Sequence, residues 1–328
     1  MYLKSKRLLI ILGPTSTGKT DLALYLAQKF GGELISADSR QVYKKLDIGT
    51  RKYSGLESRI EKANNYWQIR GIKIHMFDVI SLKRQYTVAD YIKTASQVIN
   101  RVWDQCKLPI IVGGTGLYLK ALTEGLSNLE VPVDKDLRKL LEKLSKKQLQ
   151  NKLQEVSQDK WESLNNSDRE NPRRLIRAIE LTMIKPSSEK KLSTLELAIR
   201  NANILKIGLT SSKKVLYQRV DKSVVSRIKQ GMIEEAENLY KKGLTLNRMK
   251  QLGLEYGVLA DYIKGDIKNK KELETILKGK IHNFLRRQLT WFKKEKNIEW
   301  FDVSNKNSIN KVEELVSIWY DNFDANQN

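Results

Sequence analysis

The 328-residue sequence predicts a doubly wound parallel α/β sheet interrupted by an all-helical insertion, on three observations. Over residues 7–125 short apolar runs alternate with amphipathic helical patterns, the order that builds parallel strands joined by crossover helices. The first of these runs feeds a glycine-rich loop that opens a helix. From about Val131 to Arg200 the strand signals vanish, and they return only at Ile204–Thr210. Residues 1–130 and 201–328 are therefore expected to form the sheet core with a helical C-terminal part, and residues 131–200 the insertion.

Each element follows from its pattern. "LLIIL", Leu8–Leu12, is the wholly apolar run of a strand buried on both faces. "TDLALYLAQKF" is a helix closed by Gly31-Gly32. "ELISADS" is a short second strand ending in Asp38, and a charged stretch then runs to about Lys73. "IHMFDVI" reads as a third strand, and "TVADYIKTASQVINRVWDQC" as a helix capped by Thr87. Cys106 at its end is expected to be a small buried or half-buried residue. "LPIIVGGTGLYLKAL" is a fourth strand running through Gly113-Gly114-Thr115 into another helix. In the insertion, Leu137, Leu140, Leu141 and Leu144 share one helical face, and Ser145 with Gln148 forms a capping box. Asn171-Pro172 opens "RRLIRAIELTM" with proline at the first helical position, and Pro132 and Pro186 also lie in this stretch. "ILKIGLT" resumes the sheet, and "IEWFDVS", Ile298–Ser304, is a last strand after a long helical run.

Lys and Arg number 60 against 38 Asp and Glu, a net charge of +22 that points to a polyanionic partner, although a lysine-rich composition alone gives the same sum. Ten basic and three acidic residues fall in Lys268–Lys296, where "FLRRQLTWFKK" interleaves cations with Trp291 and Phe292. An ordinary solvated basic face with a core tryptophan fits the same residues. One cysteine excludes an internal disulfide and a cysteine zinc cluster, and two histidines are too few for most metal sites. No stretch approaches the ~18 apolar residues of a membrane span, and the apolar run after Lys4, Lys6 and Arg7 is too short for a secretion signal. A cytoplasmic protein with no membrane partner is expected.

Gly13-Pro14-Thr15-Ser16-Thr17-Gly18-Lys19-Thr20 is G-x-x-x-x-G-K-[ST] in strand–loop–helix order, which makes the sheet P-loop NTPase-like. Its backbone N–H groups and the helix N-terminus form an anion nest. Lys19 adds a point charge, and the Thr20 hydroxyl is placed to ligate Mg²⁺. The spacing is specific for a phosphate chain and silent on what reacts. ATP is the usual occupant, but three features argue against an ordinary ATPase or small-molecule kinase. The strand "LPIIV" ends in Gly113-Gly114-Thr115 where a Walker-B acid is expected. The strand-end acid that exists, Asp38, is followed by the polar and aromatic "SRQVYKKLDIGT". A nucleoside-monophosphate kinase needs neither the helical insertion nor the charge.

"GPTSTGKT", "LISADSRQVYKKLDIGT", "IIVGGTGLYLKALTEGL", "NPRRLIRAIE" and "RRQLTWFKK", in this order over essentially the whole chain, together resemble the tRNA dimethylallyltransferases. The resemblance implies transfer of a dimethylallyl group from dimethylallyl diphosphate to the exocyclic amine of the adenosine 3′-adjacent to a tRNA anticodon. Gly13 to Thr20 would hold the diphosphate leaving group, with Mg²⁺. Asp38 would be the general base, although as residue chemistry alone it also suits a second-sphere Mg²⁺ partner or a helix cap. Thr115 matches a position contacting the reacting groups and also suits a helix cap. Asp38, Ser39, Arg40 and Gln41 would read the extruded base. Arg138, Arg173, Arg174, Arg177, Gln251, Arg287, Gln288 and Trp291 match segments that contact tRNA in the anticodon stem-loop. The chain would act as a monomer.

The sequence departs from the family pattern at Ser223, where an arginine touching the diphosphate is usual, and Arg219 and Arg227 are each one turn away. Gly49-Thr50-Arg51-Lys52 and Gly253-Leu254 depart at further positions, as does "IHNFLRRQ". The residues themselves leave three rivals: an adenylate prenyltransferase, a P-loop kinase or ATPase, and a non-enzymatic RNA-binding protein. The insertion and the charge favour tRNA.

Overall fold

A computed structural model describes residues 6–52, 60–64, 66–126, 133–183 and 193–325, with side chains to residue 321. Pro132, Pro186 and the flanking parts of the expected insertion lie outside these residues. The chain divides into two compact units, Met1–Glu124 with Thr194–Asn328, and Gly125–Ser193.

In the first unit an eight-stranded sheet comprises β1 (Arg7–Leu12), β2 (Gly32–Ser36), β3 (Ile60–Lys62), β4 (Tyr66–Ile69), β5 (Ile72–His75), β6 (Leu108–Gly113), β7 (Asn203–Thr210) and β8 (Glu299–Asp302). Its order is β3-β4-β5-β2-β6-β1-β7-β8, and every pair from β5 to β8 is parallel. The doubly wound parallel sheet is thus present, extended at one edge by an antiparallel β3-β4-β5 meander within the charged stretch. The third strand ends at His75 because Met76 and Asp78 take left-handed backbone angles (φ 70° and 55°), which stop the ladder inside "IHMFDVI".

The first unit carries the helices α1 (Lys19–Phe30), α2 (Val88–Asp104) and α3 (Gly116–Thr123). The second unit holds α4 (Lys135–Leu141), α5 (Lys146–Val156), α6 (Gln158–Glu162), α7 (Asn166–Arg169) and α8 (Pro172–Met183). The first unit resumes with α9 (Thr194–Arg200), α10 (Lys213–Lys229), α11 (Met232–Lys241), α12 (Leu246–Leu252), α13 (Leu254–Lys264), α14 (Lys270–Phe292) and α15 (Ser308–Ala325). Helix α9 packs against α2 and α3.

Local signals explain most boundaries. Gly31 closes α1 at φ 61°, and Thr87 and Asp90 form a reciprocal capping box at α2. Cys106 does not follow expectation: it is exposed, in a left-handed turn (φ 56°) after α2. One apolar cluster packs β1, β2, β6 and β7 against α1 and α15, through residues such as Leu9, Leu24, Ile110, Ile207 and Val312. A second binds α10–α14 to residues 42–46, through Val42, Leu46, Val220, Met232, Leu259 and Leu285. In the second unit, Leu141, Leu149, Leu153, Leu175 and Ile179 form a separate core, and Ser145–Gln148 caps α5 as expected. Leu140 departs from its predicted face and is exposed, whereas Leu137, Leu141 and Leu144 pack in this core.

Candidate active site

The carboxyl ends of three adjacent strands, β2, β6 and β1, build the site, where ligands bind in open α/β sheets. Beyond β1, Gly13 adopts φ 136° and passes so close to β7 that an added Cβ would sit 2.2 Å from the Leu209 carbonyl oxygen. Gly18 caps α1 in the left-handed region (φ 84°), and Ser16 is also left-handed (φ 65°). Both the Thr17 hydroxyl (3.0 Å) and the Lys19 ammonium (2.5 Å) donate to the Pro14 carbonyl, which holds the loop closed. The Lys19 pKa is lowered to about 8, mainly by burial; the Arg51 charge lowers it further and Asp38 opposes the shift.

Beyond β2 and β6 two turns are tied together. The Ser39 N–H donates to the Thr115 hydroxyl (3.1 Å), and the Thr115 N–H to the Ala37 carbonyl (3.2 Å). Thr115 stands at the N-cap position of α3, yet its side chain caps nothing there and points to Ser39 instead. The close approach requires glycine at 113, where a Cβ would lie 2.3 Å from the Ala37 oxygen. Asp38 accepts from the Arg40 N–H (2.8 Å). Burial raises its pKa, the Glu255 charge adds to this, and the N–H and charge of Arg40 pull the other way. The Gln41 amide is fully engaged, accepting from Ser36 (2.7 Å) and donating to the Thr50 and Arg51 carbonyls (3.2 and 3.3 Å).

Residues 47–52 form the third wall, held by groups distant in sequence. Glu235 accepts from the N–H groups of Asp47, Ile48 and Gly49 (2.9, 2.9 and 3.0 Å) and from the Tyr256 phenol. Arg227 donates to the Gly49 carbonyl (2.7 Å) and to Glu255 (2.9 Å). Lys52 is buried, donating to the Tyr43 carbonyl (2.8 Å), Asp47 (2.9 Å) and Asp78 (2.5 Å).

Two cavities meet at these turns. The larger, about 330 Å³, is bordered by Asp38, Ser39, Arg40, Thr115, Ser223, Arg227, Glu255, Arg287 and Trp291, with an apolar wall of Leu117, Val220, Leu254, Ile281 and Phe284. The smaller, about 150 Å³, runs along Gly18, Lys19, Thr20 and Gln41. Thr15, Ser16, Asp38, Arg51, Phe284 and Gln288 border both.

Of the residues named from the sequence, the loop, Asp38–Gln41, Thr115, Arg287, Gln288 and Trp291 converge here. Arg227 borders the larger cavity beside Ser223, whereas Arg219 reaches toward the Val303 carbonyl (3.5 Å). Gln251 borders neither cavity and accepts from Arg248 (3.2 Å) on the exposed side of α12. In the second unit, Arg138 (2.6 and 2.5 Å) and Arg177 (3.1 Å) both bind the buried Glu180 carboxylate. There Arg174 pairs with Asp168, and Arg173 is exposed at the start of α8. Glu235 and Glu255 carry no signal in the sequence. Their partners lie up to 188 residues away, so no local pattern marks them.

Among the described residues no group of three or more His, Cys, Asp or Glu side chains could hold a metal ion. The protein donor available is the exposed Thr20 hydroxyl in the first turn of α1, so a cation here would take most of its ligands from phosphate oxygens and water. That donor set fits Mg²⁺. Among the described residues no helix is long and apolar enough to cross a membrane.

The IPP transferase family model matches residues 41–295. The tRNA dimethylallyltransferase of Pelotomaculum thermopropionicum is 35% identical over 305 residues, covering 92% of each chain. The tRNA dimethylallyltransferase 2 of Treponema denticola is 38% identical over 295 residues, 89% of this chain and 94% of its own. The crystal structure of the full-length tRNA isopentenylpyrophosphate transferase of Bacillus halodurans matches with a TM-score of 0.69 at 29% identity, covering 98% of this chain and 99% of that one. The chain belongs to the IPP transferase family.

Proposed function

We propose that the protein transfers a dimethylallyl group from dimethylallyl diphosphate to the exocyclic amine of the adenosine 3′-adjacent to a tRNA anticodon, releasing diphosphate. One observation carries the reading: Asp38 borders both cavities, between a phosphate loop on one side and an arginine- and aromatic-lined chamber on the other. The allylic carbon–oxygen bond breaks and its electron pair leaves with the diphosphate. The amine nitrogen bonds to the carbon, and its proton passes to Asp38. An adenine amine is a weak nucleophile because its lone pair is delocalised, so a base raised in pKa by burial suits the step. Backbone N–H groups of Ser16–Thr20 and the Lys19 ammonium stabilise the charge growing on the leaving group. Val220, Leu254, Ile281 and Phe284 suit a five-carbon chain and keep water from the allylic carbon.

Mg²⁺, held by the Thr20 hydroxyl, would supply further charge neutralisation for the diphosphate. Ser39, Arg40, Thr115 and Trp291 border the space for the extruded base, whereas the Gln41 amide is taken up by protein partners. Arg287 and, in the second unit, the exposed Arg173 are the phosphate contacts, while Arg138 and Arg177 are held by Glu180 and Arg174 by Asp168, in a cytoplasmic, monomeric enzyme.

The test is nucleoside analysis of tRNA incubated with the protein and dimethylallyl diphosphate. Prenylated adenosine beside the anticodon is expected. Prenylation of AMP as fast as of an anticodon stem-loop, or Lys19-dependent phosphate release from ATP with tRNA unchanged, would overturn the reading.

A further inference from the structure

Gln288 lies in α14, a helix of 23 residues, and is 7% exposed. Its amide oxygen accepts from the Thr15 N–H of the phosphate loop (3.0 Å). Its amide nitrogen donates to the Gly114 carbonyl beyond β6 (2.9 Å). One side chain therefore spans two strand ends that no other side-chain hydrogen bond joins among the described residues. From Gly114 the connection continues to Thr115, through its hydroxyl to Ser39, and so to Asp38. The seat is tight: a Cβ at Gly114 would lie 2.4 Å from the Gln288 nitrogen. One turn on, Trp291 presses on the same turn, its indole nitrogen 2.1 Å from where a Gly116 Cβ would be.

We infer that Gln288 is a positioning residue, which sets the spacing between the diphosphate nest and the Asp38–Thr115 pair, and that it is not a tRNA contact. The inference rests on the proposed reaction, in which leaving group, allylic carbon, amine and base must fall in line. Both amide ends are bonded within the protein and the side chain is buried, so its orientation is fixed by the two strand ends before any RNA binds. The chemistry demanded is narrow. A side chain here must accept from Thr15 and donate to Gly114 at one tip, which an amide does and a carboxylate or ammonium does not. A misplacement on the order of 1 Å costs a reaction about 100-fold even when binding is intact.

The test compares wild type with Gln288→Ala, Gln288→Glu and Gly114→Ala. The last pushes on the same hydrogen bond from its other partner. The expected result is a fall of about 10- to 100-fold in kcat for each variant, with KM for tRNA and tRNA affinity within about twofold of wild type. Gln288→Ala combined with Gly114→Ala should be no worse than the poorer single variant, because both remove one interaction. Amide hydrogen exchange at residues 13–18 and 113–116 should quicken in Gln288→Ala. This readout does not depend on any substrate and covers a variant too damaged to assay. Loss of tRNA affinity with kcat unchanged would make Gln288 a contact and overturn the inference, as would additive losses or unchanged exchange. A wild type that modifies no tRNA would sink the proposed reaction instead, leaving the exchange result to stand or fall by itself.

Discussion

Glu235 offers the sharpest test of how the site is held. Its two oxygens take three consecutive backbone N–H groups and the Tyr256 phenol. Gly49 and Tyr256 are buried, while Asp47 and Ile48 are half-buried, where water can replace the carboxylate. Glu235→Ala therefore strands two buried donors at about 1–3 kcal/mol each and weakens two wetter bonds, a loss on the order of 3–4 kcal/mol. At a slope near ~3 kcal/mol per molar urea that is a drop of about 1 M in the unfolding midpoint. Glu235→Gln should cost less, about 1–2 kcal/mol. Its single oxygen can face Asp47 and Ile48 while its NH₂ meets the phenol, which turns to accept, so only the Gly49 N–H loses its partner. The loop so loosened carries Thr50 and Arg51, which border both cavities, so KM for the donor should rise in the same order, Ala above Gln above wild type. Urea unfolding followed by steady-state kinetics on the three proteins checks both. Equal midpoints, or a loss of stability with donor KM unmoved, would refute the view that Glu235 shapes the site.

Asp38→Asn keeps the shape and the Arg40 contact but removes the base, and kcat should fall about 10²–10⁴-fold with tRNA affinity kept, measured by filter binding and nucleoside analysis. The pH profile of kcat/KM should be bell-shaped. Asp38 works deprotonated and its pKa is raised by burial, so activity is lost on acidification at a higher pH than for an exposed carboxylate; Lys19 works protonated, so a basic limb falls near its pKa of about 8. Lys52→Met leaves the carboxylates of Asp47 and Asp78 without their shared cation, and should cost on the order of 3 kcal/mol in urea unfolding, with no change for Lys44→Met, an exposed neighbour. Affinity for tRNA should fall linearly on a log–log plot against salt, with a slope of about −0.7 to −0.9 per phosphate contacted; a flat response would remove the basic surface from recognition.

What could be read from the sequence shares one property, that of being local. The phosphate loop, the capping boxes at Thr87 and Ser145 and the proline opening α8 are each set by residues within a few positions of one another. The three central parallel strands β1, β2 and β6 were legible because burial on both faces makes them nearly continuous apolar runs. The β3–β4 hairpin was not, since edge strands of three and four residues with Glu61, Lys62 and Gln68 in them look like a charged loop. Leu140 illustrates a further limit: periodicity groups it with Leu137, Leu141 and Leu144, but only those three reach the core. In the site, Asp38 and Lys19 could be named from motifs, whereas the residues that orient them are contributed by α10, α11, α13 and α14. Glu235, Arg227 and Gln288 each act across 170 residues or more, and only the folded chain brings such pairs together.

The same cradle that serves phosphoryl transfer can serve allyl transfer because both need charge stabilised on a phosphate chain, and they differ in where the attacked atom lies. In phosphoryl transfer the electrophile is the terminal phosphorus, inside the cradle, so an acid at the end of the neighbouring strand suffices. In allyl transfer the electrophile is a carbon beyond the last phosphate oxygen, so the base must stand outside the cradle with an apolar wall between it and bulk water. Here β6, beside the loop, ends in Gly113-Gly114-Thr115, and the acid sits one strand further out, on Asp38 after β2. The chamber it faces has Val220, Leu254, Ile281 and Phe284 along one side, drawn from α10, α13 and α14. In the proposed reaction, a carboxylate set one strand further out and the apolar wall from the C-terminal helices place the reacting centre at carbon rather than phosphorus.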